Sequence, residues 1–448
     1  MISPLNDLVR RFRKQMHIGT DRTLEVLPVF NRRLATGAGA VLLSLAALAF
    51  ARLGDLTQSC FRAIEAAWPW AALILTPLVF AGVVHIMRRW FPDSRGSGIP
   101  QVIAASRDPE RTAYGPLVSL RTAAAKIVMT LAMLLVGGSV GREGPTVQLS
   151  AAIMVAVHRF VRVPITAGVL IAGGAAGVAA AFNTPLAGVA FAIEELASAY
   201  EQRVTLLVMA AVMVSGLVSL GIAGDYVYFG AMGQTLSLRA MLLVTPLAGI
   251  AGGLTGGLFS RIVLAFAAPT HGWIKAVRTR PVLFAACCGL IVALLGLVSH
   301  GTTSGTGYQT TRVLVEGHGQ SFWFGPMKFV AALATTLSGA PGGIFAPSLS
   351  VGAGVGNLLT ALFPGDPAGA IVELGMIAYF TGVVRAPLTA VIIISETTAS
   401  RGLIVPLFAA ALIADMVGAL VCRERLYHGL AKPFLTPATE TMKDSADE

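Results

Sequence analysis

Five places in the sequence combine residue types that could do chemistry. Residues 141–145 read Gly-Arg-Glu-Gly-Pro and lie between apolar runs. A charged side chain at the centre of a bilayer costs roughly 2.5–3.5 kcal/mol on insertion scales, so Glu143 is expected to have a task there. It can pair with Arg142, or serve as a carboxylate in the first turn of a helix. It can also act as a gate. A carboxylate beside a row of helix N-terminal N–H groups imitates a bound halide. Its protonation frees those groups for a real anion, which links proton binding to anion binding. Residues 342–347, Gly-Gly-Ile-Phe-Ala-Pro, repeat the Gly/Pro frame with no ionisable side chain. An anion there would be held by the backbone N–H groups of Ile344 and Phe345, and such dipoles bind weakly enough to permit release.

Residues 96–100, Gly-Ser-Gly-Ile-Pro, form the third place. Glycines allow close backbone approach, Ser97 can cap a helix and Pro100 fits a first turn. That is an ordinary helix start, or one with an anion at its N-terminus. The fourth place is Asn-Thr-Pro-Leu-Ala-Gly at 183–188, followed by Glu194-Glu195. Two adjacent carboxylates there are either a solvated helix end or the inner station of a proton path, since intramembrane carboxylates serve as relays. The fifth is Tyr427 in Arg-Leu-Tyr-His, after the last apolar run. An interfacial tyrosine is common at such a place.

These residues must be held by membrane-spanning elements. Of the 448 residues 55% are hydrophobic and only 12% charged, against about 25% charged in a soluble domain. Apolar runs cover residues 34–51, 67–87, 127–140, 204–224, 240–269, 281–299 and 403–422. Several approach or exceed the roughly 20 residues of a spanning helix. The short alternating segments of a β-barrel are absent, so the expected class is an all-α polytopic membrane protein. Residues 1–33 are polar and basic, which places the N-terminus in the cytoplasm and the chain in the cell (inner) membrane. The net charge of +10 reads as the same topology signal; no basic, aromatic-rich soluble domain is present to bind nucleic acid. Cys60, Cys287, Cys288 and Cys422 form no CxxC pair and are expected as buried free thiols, and the seven scattered histidines suggest no metal site. No motif for a cofactor or for a nucleophile–base pair stands out, which argues against an enzyme.

An internal repeat organises the chain. At an offset of 202 residues, Lys126 falls on Lys328, Gly137 on Gly339, Gly141 on Gly343, Pro145 on Pro347, Gly173 on Gly375, Pro185-Leu186 on Pro387-Leu388 and Glu194 on Glu396. At a slightly larger offset Gly96-Ser97-Gly98 meets Gly305-Thr306-Gly307. The expected organisation is a first membrane repeat over 34–225, a second over 226–435 and a polar tail over 436–448. Duplicated halves with Gly/Pro breaks at matching places point to a binding site at the repeat interface near mid-membrane.

Gly-Ser-Gly-Ile-Pro, Gly-Arg-Glu-Gly-Pro and Gly-Ile-Phe-Ala-Pro, in this order and spacing, with Asn-Thr-Pro-Leu-Ala-Gly and a late Tyr, resemble the signature of the CLC chloride channels and chloride/proton antiporters over residues 34–435. The resemblance implies two inverted halves, tilted and broken helices, and a homodimer with one anion pathway per subunit. It implies that Ser97 and Tyr427 hydroxyls hold a central chloride together with the N–H groups of Ile344 and Phe345. Arg142, Glu143 and Gly144 N–H groups would border an outer site, with Glu143 as the external gating glutamate. Glu195 matches the internal proton-transfer glutamate of antiporter members, with Glu194 its neighbour. Channel members usually lack that glutamate, so exchange of chloride for protons is the leading expectation. A passive channel is the second, and a membrane enzyme or scaffold a distant third.

Overall fold

The structure, a computed structural model, describes residues 3–112, 115–196, 202–224, 227–230, 232–268, 272–400 and 402–435. The expected tail over 436–448 lies outside these residues. The first half comprises α1 (Ser3–Ala67), α2 (Ala71–Trp90), α3 (Ile99–Arg107), α4 (Pro109–Thr112), α5 (Leu120–Leu135), α6 (Glu143–Phe160), α7 (Ala167–Phe182), α8 (Pro185–Phe191) and α9 (Gln202–Ala223). The second comprises α10 (Leu238–Ala267), α11 (Gly272–Arg278), α12 (Pro281–Val298), α13 (Tyr308–Val315), α14 (Phe324–Leu337), α15 (Phe345–Thr360), α16 (Ala368–Val384), α17 (Pro387–Thr398), α18 (Ile404–Val421) and α19 (Leu426–Ala431). Helices starting near residues 31, 71, 206, 238, 281 and 404 are long and apolar enough to cross a bilayer. The expected span over 127–140 is shorter than the apolar run suggested: α5 ends at Leu135, and residues 136–142 leave the helix. Cys60, Cys287, Cys288 and Cys422 are free thiols, but of the buried thiols expected only Cys288 is buried: Cys422 is half-buried and Cys60 and Cys287 are exposed.

The repeat is structural as well as sequential. α5, α6, α7, α8 and α9 recur as α14, α15, α16, α17 and α18, and α1, α2 and α3 recur as α10, α12 and α13. α1 packs on α7 and α9, just as α10 packs on α16 and α18. The mates α2 and α12 pack on each other, as do α8 and α17. Gly141 and Gly343, one residue and its own repeat mate, form an antiparallel bridge with N–H to O distances of 2.7 and 2.8 Å. Antiparallel pairing of mates requires a local two-fold axis between the halves, which is the inverted relation.

Local chemistry explains the breaks. α7 ends on Asn183 and α16 on its mate Arg385, both left-handed, with φ of 57° and 65°. Pro185 and Pro387 then open α8 and α17 at the first turn, where a missing N–H costs nothing. Each break therefore starts a fresh helix whose first N–H groups need an acceptor from the protein, since unmet backbone would be untenable in lipid.

Candidate functional site

Two helix N-termini meet at the Gly141–Gly343 bridge. α6 begins at Glu143 and α15 at Phe345. In α15 the first helical bond runs from Ser348 N–H to Ile344 O at 3.0 Å. The N–H groups of Ile344 and Phe345 precede it and have no intrahelical acceptor. The first bond of α6, Thr146 N–H to Arg142 O at 3.0 Å, leaves the N–H groups of Glu143 and Gly144 in the same position. Both dipoles thus point positive ends at one buried region.

Glu143 is 1% exposed. Its carboxylate turns back toward the start of its own helix, with Oε2 accepting from Ala346 N at 3.4 Å and Oε1 meeting no partner in hydrogen-bond geometry. Gly141 makes room for it, since a Cβ there would collide with Glu143 Oε2. The Arg142 side chain lies in electrostatic range of Glu143 but is anchored elsewhere. Arg142 Nη1 donates to Asp55 Oδ1 at 2.8 Å and to Ala51 O at 2.6 Å, both on α1. A cavity of about 470 Å³ opens beside Arg142, lined also by Arg52, Asp55, Arg62, Tyr228 and Thr306.

Ser97 lies against the start of α6: a Cβ on Gly144 would collide with Ser97 Oγ. Tyr427, on α19, is fully buried, and its ring stacks on Phe345 with centroids 6.0 Å apart and planes 18° from parallel. Its hydroxyl interacts with the Ser97 side chain and lies within electrostatic range of both Glu195 and Glu143. Neither Ser97 Oγ nor Tyr427 Oη meets full hydrogen-bond geometry with any partner. Two buried hydroxyls without a settled partner, beside two open helix N-termini, are donors in search of an acceptor. The structure therefore brings Ser97, Arg142, Glu143, Gly144, Ile344, Phe345 and Tyr427 together.

The repeat-matched lysines, for which the sequence suggested no partner, hold the loops in front of this site. Lys126 Nζ donates to Gly96 O at 3.0 Å and Arg95 O at 3.4 Å. Lys328 Nζ donates to Thr303 O and Gly305 O, each at 2.8 Å. Both are fully buried. The signal in the sequence was the matched pair itself; what it lacked was an acceptor, because backbone carbonyls leave no trace in residue type.

Glu194 and Glu195 separate in role. Residues 192–196 form a π-turn, which is wider than an α-turn and spreads neighbouring side chains. Glu194 reaches the N-terminus of α17 and accepts from Leu388 N at 3.2 Å and Thr389 N at 2.7 Å. Its mate Glu396 does the same to α8, accepting from Leu186 N at 3.3 Å and Ala187 N at 2.9 Å. Each half caps a helix of the other. Glu195 instead points inward, 0% exposed, with Oε1 3.3 Å from His428 Nδ1. Asp55 and His428 are the site neighbours that sequence reasoning missed; no motif marks either. Among the described residues no cluster of metal-ligating side chains occurs.

Duplicated halves whose broken helices aim N-termini at one buried point are the architecture of a membrane transport protein. The sequence matches the Voltage gated chloride channel family over residues 78–419, and the chain belongs to this CLC family. It is similar to the H(+)/Cl(-) exchange transporter ClcA of Vibrio vulnificus, 33% identical over 375 residues, covering 80% of this chain and 77% of that protein. The protein of the same name from Yersinia pestis is 31% identical over 390 residues, covering 81% and 77%. Among solved structures, a slow cyanobacterial Cl-/H+ antiporter shares the fold with a TM-score of 0.77 at 23% identity, over 92% of this chain and 99% of that one. A CLC-type fluoride/proton antiporter does so with a TM-score of 0.76 at 20% identity, over 90% and 98%.

Proposed function

We propose that this chain is a secondary active antiporter that exchanges chloride for protons, with Glu143 as the outer gate and Glu195 as the inner proton station. The observation that carries this reading is the buried carboxylate of Glu143 lying between the N-termini of α6 and α15, with Oε2 accepting from Ala346 N. An anionic side chain there occupies the place of an anionic substrate. Protonation removes its charge and its claim on the N–H groups. Chloride then takes them, and leaves again when the acid loses its proton and returns. One position thus exchanges a bound proton for a bound anion, which is coupling in thermodynamic terms. Deeper in, Ser97 and Tyr427 hydroxyls and the N–H groups of Ile344 and Phe345 hold the central chloride, while Gly144 N–H helps border the outer one. The proton continues to Glu195, with Tyr427 in range of both acids. The names of the relatives support chloride and protons as the pair exchanged.

Orientation follows from charge. Arg88 and Arg278 lie in electrostatic range of Arg95, and Arg261, Arg385, Arg425 and Lys432 crowd the segment around α19. By the positive-inside rule that face is cytoplasmic, with the N-terminus, in the cell membrane. A homodimer, as in the family, belongs to the same reading. The exposed apolar side chains of Leu206, Leu217, Val405 and Leu420 are surface for a second copy or for lipid.

The test is proton uptake into proteoliposomes driven only by a chloride gradient, with the membrane potential clamped at zero. Uphill proton movement that disappears in Glu143→Ala is the expected result. Chloride flux with no proton movement would make the protein a passive channel.

A further inference from the structure

Glu195 has no exposed atom, so a proton that reaches it from the cytoplasm must be handed over by another group. Glu194, its chain neighbour, is committed: both of its oxygens cap α17, and its carbonyl accepts from Arg425 Nη1 at 3.2 Å. His428 is placed differently. Its Nδ1 stands 3.3 Å from Glu195 Oε1, while its side chain is 29% exposed against 0% for the glutamate. Nδ1 itself is buried and, like Glu195 Oε1, has no partner in hydrogen-bond geometry, so the two face each other without a settled bond and the rest of the ring carries the exposed surface.

We propose that His428 is the residue through which protons pass between the cytoplasmic solution and Glu195; this rests on the reading of Glu195 as the inner proton station. Histidine suits the place, because its two ring nitrogens can take and release a proton on opposite sides. The imidazole accepts a proton from water at its other ring nitrogen, Nε2, and becomes imidazolium. It then gives the Nδ1 proton to Glu195 Oε1, which becomes a neutral acid, and the ring is left as the Nε2–H tautomer. A ring flip, or proton exchange with water, restores it for the next transfer. The charged groups around it have other partners among the described residues. Arg425 holds Glu194, Glu424 pairs with Lys432 at 2.5 Å, and Arg385 pairs with Asp415 at 2.5 Å. Arg261 lies in range of Cys422 instead. Tyr427 precedes His428 on the same short helix, α19. One element thus presents a hydroxyl to the anion site and an imidazole to the proton station.

The experiment measures proton and chloride fluxes of full-length protein in liposomes for wild type, His428→Gln, His428→Ala and Glu195→Gln. A positioned proton donor contributes a rate factor of 10²–10⁴ in general, and water can replace part of it, so His428→Gln should lower proton uptake about ten-fold and chloride flux by less than about two-fold. Imidazole added on the cytoplasmic side should restore proton uptake in His428→Ala, a response that a merely structural role would not give. Should the glutamine variant not assemble, His428→Asn provides the same comparison. Proton uptake at the wild-type rate in His428→Gln, with Glu195→Gln inactive for protons, would overturn the relay alone. Parallel loss of both fluxes without imidazole rescue would also overturn it and make His428 a support for Tyr427. Proton uptake that survives in Glu195→Gln would instead overturn the inner-station reading beneath it.

Discussion

The two halves of the molecule keep the same scaffold and differ in their chemistry. Lys126 and Lys328 hold equivalent loops, Glu194 and Glu396 cap equivalent helices, and Gly141 and Gly343 pair with each other. At each of these places the residue matches its mate and its task is to satisfy backbone. The proposed proton-handling residues and Tyr427 fall where the match fails, whereas Ser97 meets another hydroxyl, Thr306. Glu143 has Phe345 as its mate, Glu195 has Thr397, and Tyr427 falls on Asp225 at the offset of 202. Thr397 bonds its own helix at Ile393 O, 2.6 Å away, as a structural hydroxyl does. A duplicated membrane protein thus keeps its supports symmetric, charged ones included, and its proposed proton-carrying groups one-sided. A proton path that was itself two-fold symmetric would have no need of two different ends.

This contrast can be broken by experiment. The largest effect is expected at Glu143. Glu143→Gln should reduce chloride-driven proton uptake to the leak level, and its chloride flux should not vary with outer pH, whereas wild-type flux should rise as the outer solution is acidified and the gate is neutralised. Next, Glu195→Gln should stop proton uptake and Glu194→Gln should not, although the two residues are adjacent; the reverse outcome would exchange their roles. Third, Lys126→Met and Lys328→Met should both lower stability in detergent, by about 1–3 kcal/mol for each carbonyl left unsatisfied, read as a lower thermal midpoint. Only Lys126→Met should also slow chloride transport, because its loop carries Ser97; equal slowing by Lys328→Met would erase the distinction between the halves. The smallest effect belongs to the caps. Glu194→Gln and Glu396→Gln should each weaken charge-assisted bonds worth about 1.5–3 kcal/mol, by similar amounts, with fluxes otherwise retained.

Much of this was legible in the residues because membrane burial leaves few exceptions. Apolar runs, Gly/Pro breaks and an offset of 202 residues disclosed the spans and the duplication. Ser97 and Glu143 stood out because polar residues in such company are costly. Other features were hidden for identifiable reasons. The acceptors of Lys126 are carbonyls 30 and 31 positions away, and a carbonyl has no residue type. Glu194 and Glu195 could not be told apart while the turn was assumed to be α-helical; the π-turn decides which carboxylate faces inward. Arg142 was paired with its neighbour as an open alternative, yet its partner Asp55 lies 87 positions earlier on α1.

The exchanged caps also bear on how the chain is made. The N-terminus of α8 receives its carboxylate from residue 396, more than 200 positions downstream. During synthesis the first half therefore enters the bilayer with the N–H groups of Leu186 and Ala187 unmet. They stay so until nearly the whole chain has emerged. α17 has no such wait, since Glu194 is already in place when Leu388 and Thr389 arrive. Assembly is thus ordered in time although the product is symmetric in space, and a chain cut between the halves would leave each piece holding half of a clasp.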